Sequence, residues 1–376
     1  MQTVALLTDG LWPFVIGGMQ KHSFYMAKYL ARTGIGVTVF HTIPEKSKTI
    51  RIEDFFTQEE LVRIRFFEIP WPKLKFSFPG HYLYENYLYS MHIYQKISIN
   101  LEDYDLIYAQ GFTTWYLLDR KKQYQSLPLV AVNFHGMEMF QKTPNLAAKL
   151  QYLMFKPFVI KNLKEADIVI SLGGKLTSII NKYSKSVRAI PIGIESKWLI
   201  DEPEPVRGSL RFAFVGRYER RKGIEELTEV LKKLKDDFLF DFIGPIPVQY
   251  RIKDTQIHYH GQVQEEETIK TILRKVDVLV CPSWSEGMPT VILEAMASGC
   301  AIIATDVGAV SELVDDKNGI LIEPGHRNSL SDALIQMIHW DRETVWAMKK
   351  NSIEKIRQQF LWEQVIEKAI SELSSI

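Results

Sequence analysis

Short apolar runs alternate with amphipathic stretches along the whole chain. In the first half the runs fall at residues 4–7, 37–40, 106–108, 129–133, 168–171 and 187–190. In the second half they fall at 210–215, 238–243, 276–280, 301–304 and 319–322. Each is brief, rich in β-branched or aromatic residues and bounded by helix-like segments, which predicts buried strands. Such alternation predicts parallel sheets with helices on both faces. Between the two sets lies Asp201-Glu-Pro-Glu-Pro-Val-Arg-Gly208, whose prolines, acids and glycine suit a linker rather than a core element. The expected architecture is α/β, with two doubly wound parallel-sheet domains facing across a cleft. The expected bounds are 1–200 for the first domain, 201–209 for the linker and 210–357 for the second. Ligands of such sheets bind at the carboxyl ends of the strands.

Composition sharpens this picture by exclusion. A length of 376 residues suits two domains, and 46% hydrophobic residues allow real cores. The net charge of +1 gives no global field for nucleic acid. Two cysteines, Cys281 and Cys300, rule out a disulfide framework and suit a reducing cytoplasm. The first apolar run lacks a basic flank and a small-residue cleavage site, so it reads as a strand rather than a leader. No apolar run approaches the ~20 residues of a membrane span.

Four segments carry candidate chemistry. In the first, the run at 276–280 leads through the loop 283–289 into a helix over 290–298. Pro289 and Thr290 suit the helix start, and Gly299 suits its stop. The free N–H groups of that start form a ready anion site. Glu286 lies in the loop and Glu294 one turn inside the helix, both able to face one cleft. An isolated pair of this kind is more often a cap and a solvated face. Here Ile292, Leu293, Ala295 and Met296 surround Glu294, and a buried acid needs a partner, which favours function. In the second segment, Phe214-Val-Gly-Arg-Tyr-Glu-Arg-Arg-Lys-Gly223, cations at a strand-to-helix turn suit a diphosphate, although a solvated basic turn would look the same. In the third, Gly17 and Gly18 follow the first strand and let backbone approach a ligand, but lack a dinucleotide fingerprint. In the fourth, Asn133-Phe-His-Gly-Met-Glu138 places His135 at a strand's carboxyl end.

Together these segments resemble glycosyltransferase family 4, the glycogen synthase-like retaining transferases of GT-B fold. The resemblance rests on the Glu–seven residues–Glu spacing, the Gly-Met-Pro between, and the Glu-Ala-Met-Ala-Ser-Gly that follows. Gly308-Ala-Val-Ser-Glu312 and Asn318-Gly319 fall where that family has a Gly-rich turn, a glutamate and an NG turn. The resemblance implies that Glu286 contacts the donor sugar and Glu294 the ribose, with Gly287, Met288, Pro289, Thr290 and Val291 binding through backbone. It implies that Arg217 and Lys222, after Gly216, neutralise the leaving diphosphate. It places His135 near the reacting face, Gly17 and Gly18 in a glycine loop, and Gly244 and Val263 near the base. Gln20 stands where the family usually has an acid, and Pro191-Ile-Gly-Ile-Glu195 lacks the family's Asn. A helix within 358–376 would cross back onto the first domain.

The implied reaction is retaining transfer of a hexose-type sugar from a nucleoside-diphosphate sugar to a glycan or lipid-linked acceptor. The setting would be bacterial surface polysaccharide synthesis. The nucleotide sugar is a co-substrate, and neither cofactor nor metal is expected. His258 and His260, without a neighbouring ligand, read as structural. Rival readings are a sugar-nucleotide epimerase or phosphorylase of the same fold, or a non-catalytic sugar-nucleotide-binding protein. For the acceptor side, the aromatics and lysines of 71–79 stand out. So does a basic helix starting at Thr143 as its N-cap and running to Lys164. The preferred reading packs that helix on its own sheet with lysines in water, and the alternative is peripheral contact with the inner membrane surface.

Overall fold

The computed structural model describes residues 1–47, 49–74, 80–263 and 265–374. Seven strands form the first sheet: β1 (Thr3–Leu7), β2 (Gly36–His41), β3 (Ile64–Glu68), β4 (Leu106–Gln110), β5 (Leu129–Asn133), β6 (Ile168–Ser171) and β7 (Val187–Ala189). All pair in parallel in the order β3-β2-β1-β4-β5-β6-β7. Six form the second: β8 (Leu210–Val215), β9 (Phe238–Ile243), β10 (Ile257–Gly261), β11 (Val278–Cys281), β12 (Ala301–Thr305) and β13 (Gly319–Ile322). Their order is β10-β9-β8-β11-β12-β13, again parallel throughout.

The central strands are apolar on both faces because helices cover both faces. Val4, Ala5 and Leu6 are fully buried, as are Ala301, Ile302, Ile303 and Ala304. Strand β3 is absent from the apolar-run reading. It is a sheet edge whose Arg65 and Glu68 stay exposed, so its sequence never becomes a continuous apolar run.

The chain returns to the first sheet at its end. The helix Arg342–Gln359 leads into the helix Trp362–Ser374, which packs on Gly18–Arg32. Backbone bonds tie the crossover down: Ile194 N donates to Phe360 O at 2.8 Å, and Trp362 N to Ile194 O at 3.1 Å. Trp362 is fully buried and packs against Tyr25, Tyr29 and His22. Gly193 has to be glycine here, since an added Cβ would sit 2.7 Å from the Trp362 ring.

One helix departs from expectation. Leu146–Glu165 starts one turn later than Thr143, with Asn145 as N-cap accepting from Ala148 N at 2.9 Å. Only Val159, Asn162 and Leu163 are buried, so the packing expected of the whole helix is confined to its second half. Leu146, Leu150, Leu153 and Met154 lie on the opposite face and have no sheet to cover, whereas Phe155 packs half-buried on the core. Of the stretch 71–79, residues 75–79 lie outside the described residues.

Trp362→Ala is expected to cost about 3–5 kcal/mol, the usual range for truncating a buried tryptophan. Urea unfolding checks this, and a loss below about 1 kcal/mol would show that the crossover helix does not hold the first domain.

Candidate active site between the two sheets

The loop after β11 carries a buried acid held by two cations. Glu286 is 6% exposed, and burial alone would raise its carboxyl. Lys222 Nζ at 2.7 Å and Arg221 Nη1 at 3.3 Å outweigh burial and hold the carboxyl below its ordinary value. Ser283 donates to it at 2.8 Å. Arg221 also donates to the carbonyl of Ser285 at 3.0 Å, so it braces the loop as well as the charge. The loop then enters the helix Thr290–Ala297 at Pro289, and no side chain caps that start.

Across the gap stands the turn after β5. His135 and Met137 both have φ of 52°, an uncommon conformation for residues with a Cβ. Burial lowers the His135 imidazole to about 3, so the ring is neutral. Gln110 lies between two rings, 2.7 Å from His135 Nε2 and 3.0 Å from His22 Nδ1. An amide in this orientation accepts from His135 and donates to His22, which fixes both neutral tautomers. The two halves touch through backbone: a Cβ on Gly287 would lie 2.6 Å from His135 O. Gln141 clasps the same contact, donating to Glu286 O at 2.7 Å.

These walls enclose a cleft of about 500 Å³ that includes Gly18, His135, Glu138, Glu286, Gly287 and Met288. It lies at the carboxyl ends of β1, β4 and β5, where the strand order reverses and such folds bind ligands.

Comparison with known proteins decides the family. The profile "Glycosyltransferase Family 4" matches residues 16–198, and "Glycosyl transferases group 1" matches 209–339. The chain belongs to the family 4, group 1 glycosyltransferases.

Among relatives, TuaC of Bacillus subtilis, a glycosyltransferase named for teichuronic acid biosynthesis, is 34% identical over 203 residues, covering 51% of each chain. The match thus spans about half of that relative's length. An uncharacterised glycosyltransferase of Methanocaldococcus jannaschii is 22% identical over 98% of this chain and 97% of its own. A UDP-Gal:α-D-GlcNAc-diphosphoundecaprenol α-1,3-galactosyltransferase of Escherichia coli is 26% identical, covering 68% of this chain and 71% of its own. The solved sucrose-phosphate synthase of Thermosynechococcus elongatus superposes with a TM-score of 0.80 at 21% identity, covering 99% and 98%. An Anabaena protein solved with UDP gives 0.69 at 17% identity over both full chains. These likenesses, together with the two parallel sheets, establish the GT-B fold.

Within this family 4 chain, the residues named from sequence fall into three places. His135, Gly18, Glu286, Gly287 and Met288 line the cleft, and Lys222 joins them through Glu286. Met288 also accepts from Ile192 N, at 3.2 Å. Thr290 and Glu294 line a separate cavity of only about 30 Å³ with Lys21, His22 and Tyr25. There Lys21 Nζ lies 3.4 Å from Glu294, whose carboxyl burial raises. Gly17 precedes the helix Gly18–Arg32. Val291 follows Thr290 in the first turn of its helix and packs half-buried on the core.

The third group sits apart. Gly216 and Gly244 abut through backbone at the ends of β8 and β9, and Val263 follows β10, half-buried against the core. The Arg217 side chain is 74% exposed and pairs with Glu219 at 3.0 Å, so it is not gathered beside Lys222. Glu312 accepts from Gly174 N at 2.8 Å, bridging the two halves, and Asn318 closes a local turn through Leu313 and Asp315. Among the described residues no group of three or more His, Cys, Asp or Glu is placed to hold a metal ion.

Sequence reasoning missed Asp9, Gln110 and Gln141, and gave Arg221 no role at the site. Asp9 was findable, since it follows β1 at a strand's carboxyl end. It lines the cleft beside Gln20, which donates to it at 2.9 Å, and burial pushes its carboxyl up to about 6.

A raised acid binds its proton more tightly folded than unfolded, so this term lowers stability as pH rises from about 3.8 to about 6. Asp9→Asn should therefore be more stable than the parent above pH ~6, by roughly 1–2 kcal/mol after allowing for partial exposure. The gain should vanish below pH ~3.8. Chemical denaturation across pH checks this, and a gain unchanged at acid pH would show that Asp9 is not protonated preferentially in the fold.

Proposed function

We propose that the chain is a retaining transferase that moves a hexose from a nucleoside-diphosphate sugar to a glycan or lipid-linked glycan in bacterial surface polysaccharide synthesis. The observation that carries this reading is the Glu286 carboxylate, buried between Lys222 and Arg221 and facing His135 across the cleft. Breaking a sugar–phosphate bond builds positive charge on the sugar and negative charge on the diphosphate. A buried carboxylate suits sugar hydroxyls, and adjacent cations suit the leaving group. Two cations on one carboxylate let Lys222 turn toward a diphosphate while Arg221 stays as the counter-charge of Glu286. Arg217, held only at the surface, can close on the same diphosphate without breaking a buried contact. The uncapped helix start at Pro289–Thr290 adds N–H donors. With these positive groups the diphosphate has its counter-charge without a metal.

Glu294 is assigned to the ribose hydroxyls, which would displace Lys21. Entry of a nucleotide then requires the two halves to part, because the cavity at Glu294 is far smaller than a nucleoside. The E. coli relative's printed activity joins a UDP-sugar donor to a lipid-linked acceptor, and the Anabaena neighbour was solved with UDP. Both support a UDP-sugar as the donor to try first. Carbon-bond configuration at the transferred sugar should be retained, as in the family the chain resembles.

Nucleoside diphosphate released from UDP-glucose, UDP-galactose and GDP-mannose, with and without membrane lipid extract, tests the reading. Lys222→Ala is expected to lower turnover about 10²–10³-fold. Arg217→Ala should also lower turnover, whereas Arg221→Lys should retain most of it. Arg217→Ala at the parental rate would remove that residue from the site. An unchanged Lys222→Ala would overturn the proposed chemistry.

A further inference from the structure

The helix Leu146–Glu165 leaves an apolar stripe uncovered. Leu146 is 76% exposed and Leu150 66%, followed by Leu153, Met154 and Phe158. The spacing of four, three, one and four residues puts all five on one face, opposite the buried Val159 and Leu163. Five single apolar residues scattered over a surface would need no explanation, but a contiguous row on one helix marks an interaction site. Tyr82 and Tyr84, on the helix His81–Ile97, are exposed nearby on the cleft side, and the Tyr82 ring lies 5.7 Å from Phe155.

Charge decides what this face fits. Lys142, Lys149, Lys156 and Lys164 flank or follow the stripe, Lys161 pairs with Asp119 of the neighbouring helix at 2.6 Å, and the sequence from 142 to 164 contains no acid. We propose that this face docks on an anionic lipid bilayer, Leu146, Leu150, Leu153 and Met154 entering the interface and its lysines meeting headgroup phosphates. An apolar face edged with lysine, whose long stems let the charge stay in water, is the physical form of an interfacial helix. A second copy of the chain fits less well, because a symmetric contact would set the same lysines against each other. The orientation also has a use: Gln151, Tyr152, Phe155 and Tyr82 line the cleft from the other flank of the same helix and its neighbour. Docking would therefore hold the cleft mouth beside the membrane, where a lipid-linked acceptor resides. That use rests on the proposed function, whereas the docking itself does not.

Co-sedimentation with vesicles needs no sugar donor, so its failure leaves the transferase reading standing. The full chain is mixed with vesicles of phosphatidylcholine alone or of three parts phosphatidylcholine to one part phosphatidylglycerol. The bound fraction on anionic vesicles should exceed that on neutral ones by roughly tenfold and fall with added salt. The double variant Leu150→Asp, Leu153→Asp should return to background. Lys149→Gln with Lys164→Gln should weaken binding several-fold. Both variants alter exposed residues outside the cleft, and their unfolding midpoints should match the parent. Absence of binding to either vesicle would overturn the proposal, as would binding that survives the aspartates. So would a parental dimer, seen by light scattering, that the aspartates dissolve.

Discussion

A carboxylate removed from water must be matched by positive charge, and in this molecule that requirement falls on Glu286. Its loop follows a buried strand and precedes a buried helix, so the side chain has little freedom to reach solvent. Lys222 and Arg221 come from the turn after β8, and Ser283 from the loop itself. Removing either cation would leave part of a buried charge uncompensated, which is far costlier than losing a surface pair. The same arrangement that satisfies the fold leaves two cations and one carboxylate at the mouth of a cleft. Stability and proposed chemistry thus draw on one cluster.

The second constraint is how closely the two sheets' loops approach. Gly287 meets the backbone of His135, and a Cβ on Gly174 would lie 2.8 Å from Gly308 O. Gln141, Lys21, Glu312, Lys175 and Lys197 then bridge the halves with polar contacts that are individually modest. Contacts of this kind can part and reform at small cost, which the proposed entry of a nucleotide would require. The returning helix Trp362–Ser374 is different. It buries a large indole among aromatic rings and would hold the connection if the loops part as proposed.

Much of the fold was legible because buried parallel strands are written as apolar runs. The helix start at Thr290 and its stop before Gly299 were equally plain, from Pro289 and the glycine. Strand β3 was hidden because an edge strand keeps charged residues in water. At the site, Glu286 and Lys222 could be named from spacing, but their contact could not, since it joins residues 64 apart in sequence. Arg217 was expected beside Lys222, but it points to solvent and pairs with Glu219, while Arg221 reaches Glu286 instead. Gln110 ends β4, as Asp9 follows β1, but an amide there gives no hint of its partners. Its importance comes only from lying between two histidines. The exposed stripe of Leu146–Glu165 was half legible: the pattern showed apolar and basic positions, but only packing shows which apolar face is left over.

The central claim is that the region between Lys222 and Glu294 holds a nucleoside diphosphate. The most direct test is thermal or chemical stability of the parent and of Glu294→Ala against UDP, GDP, ADP, TDP, NAD and inorganic phosphate. One diphosphate at ~100 times its dissociation constant should stabilise the parent by about 2.7 kcal/mol and the variant by much less. That result would place the nucleotide and identify its base. Stabilisation by NAD alone, or by a diphosphate equally in parent and variant, would contradict the account.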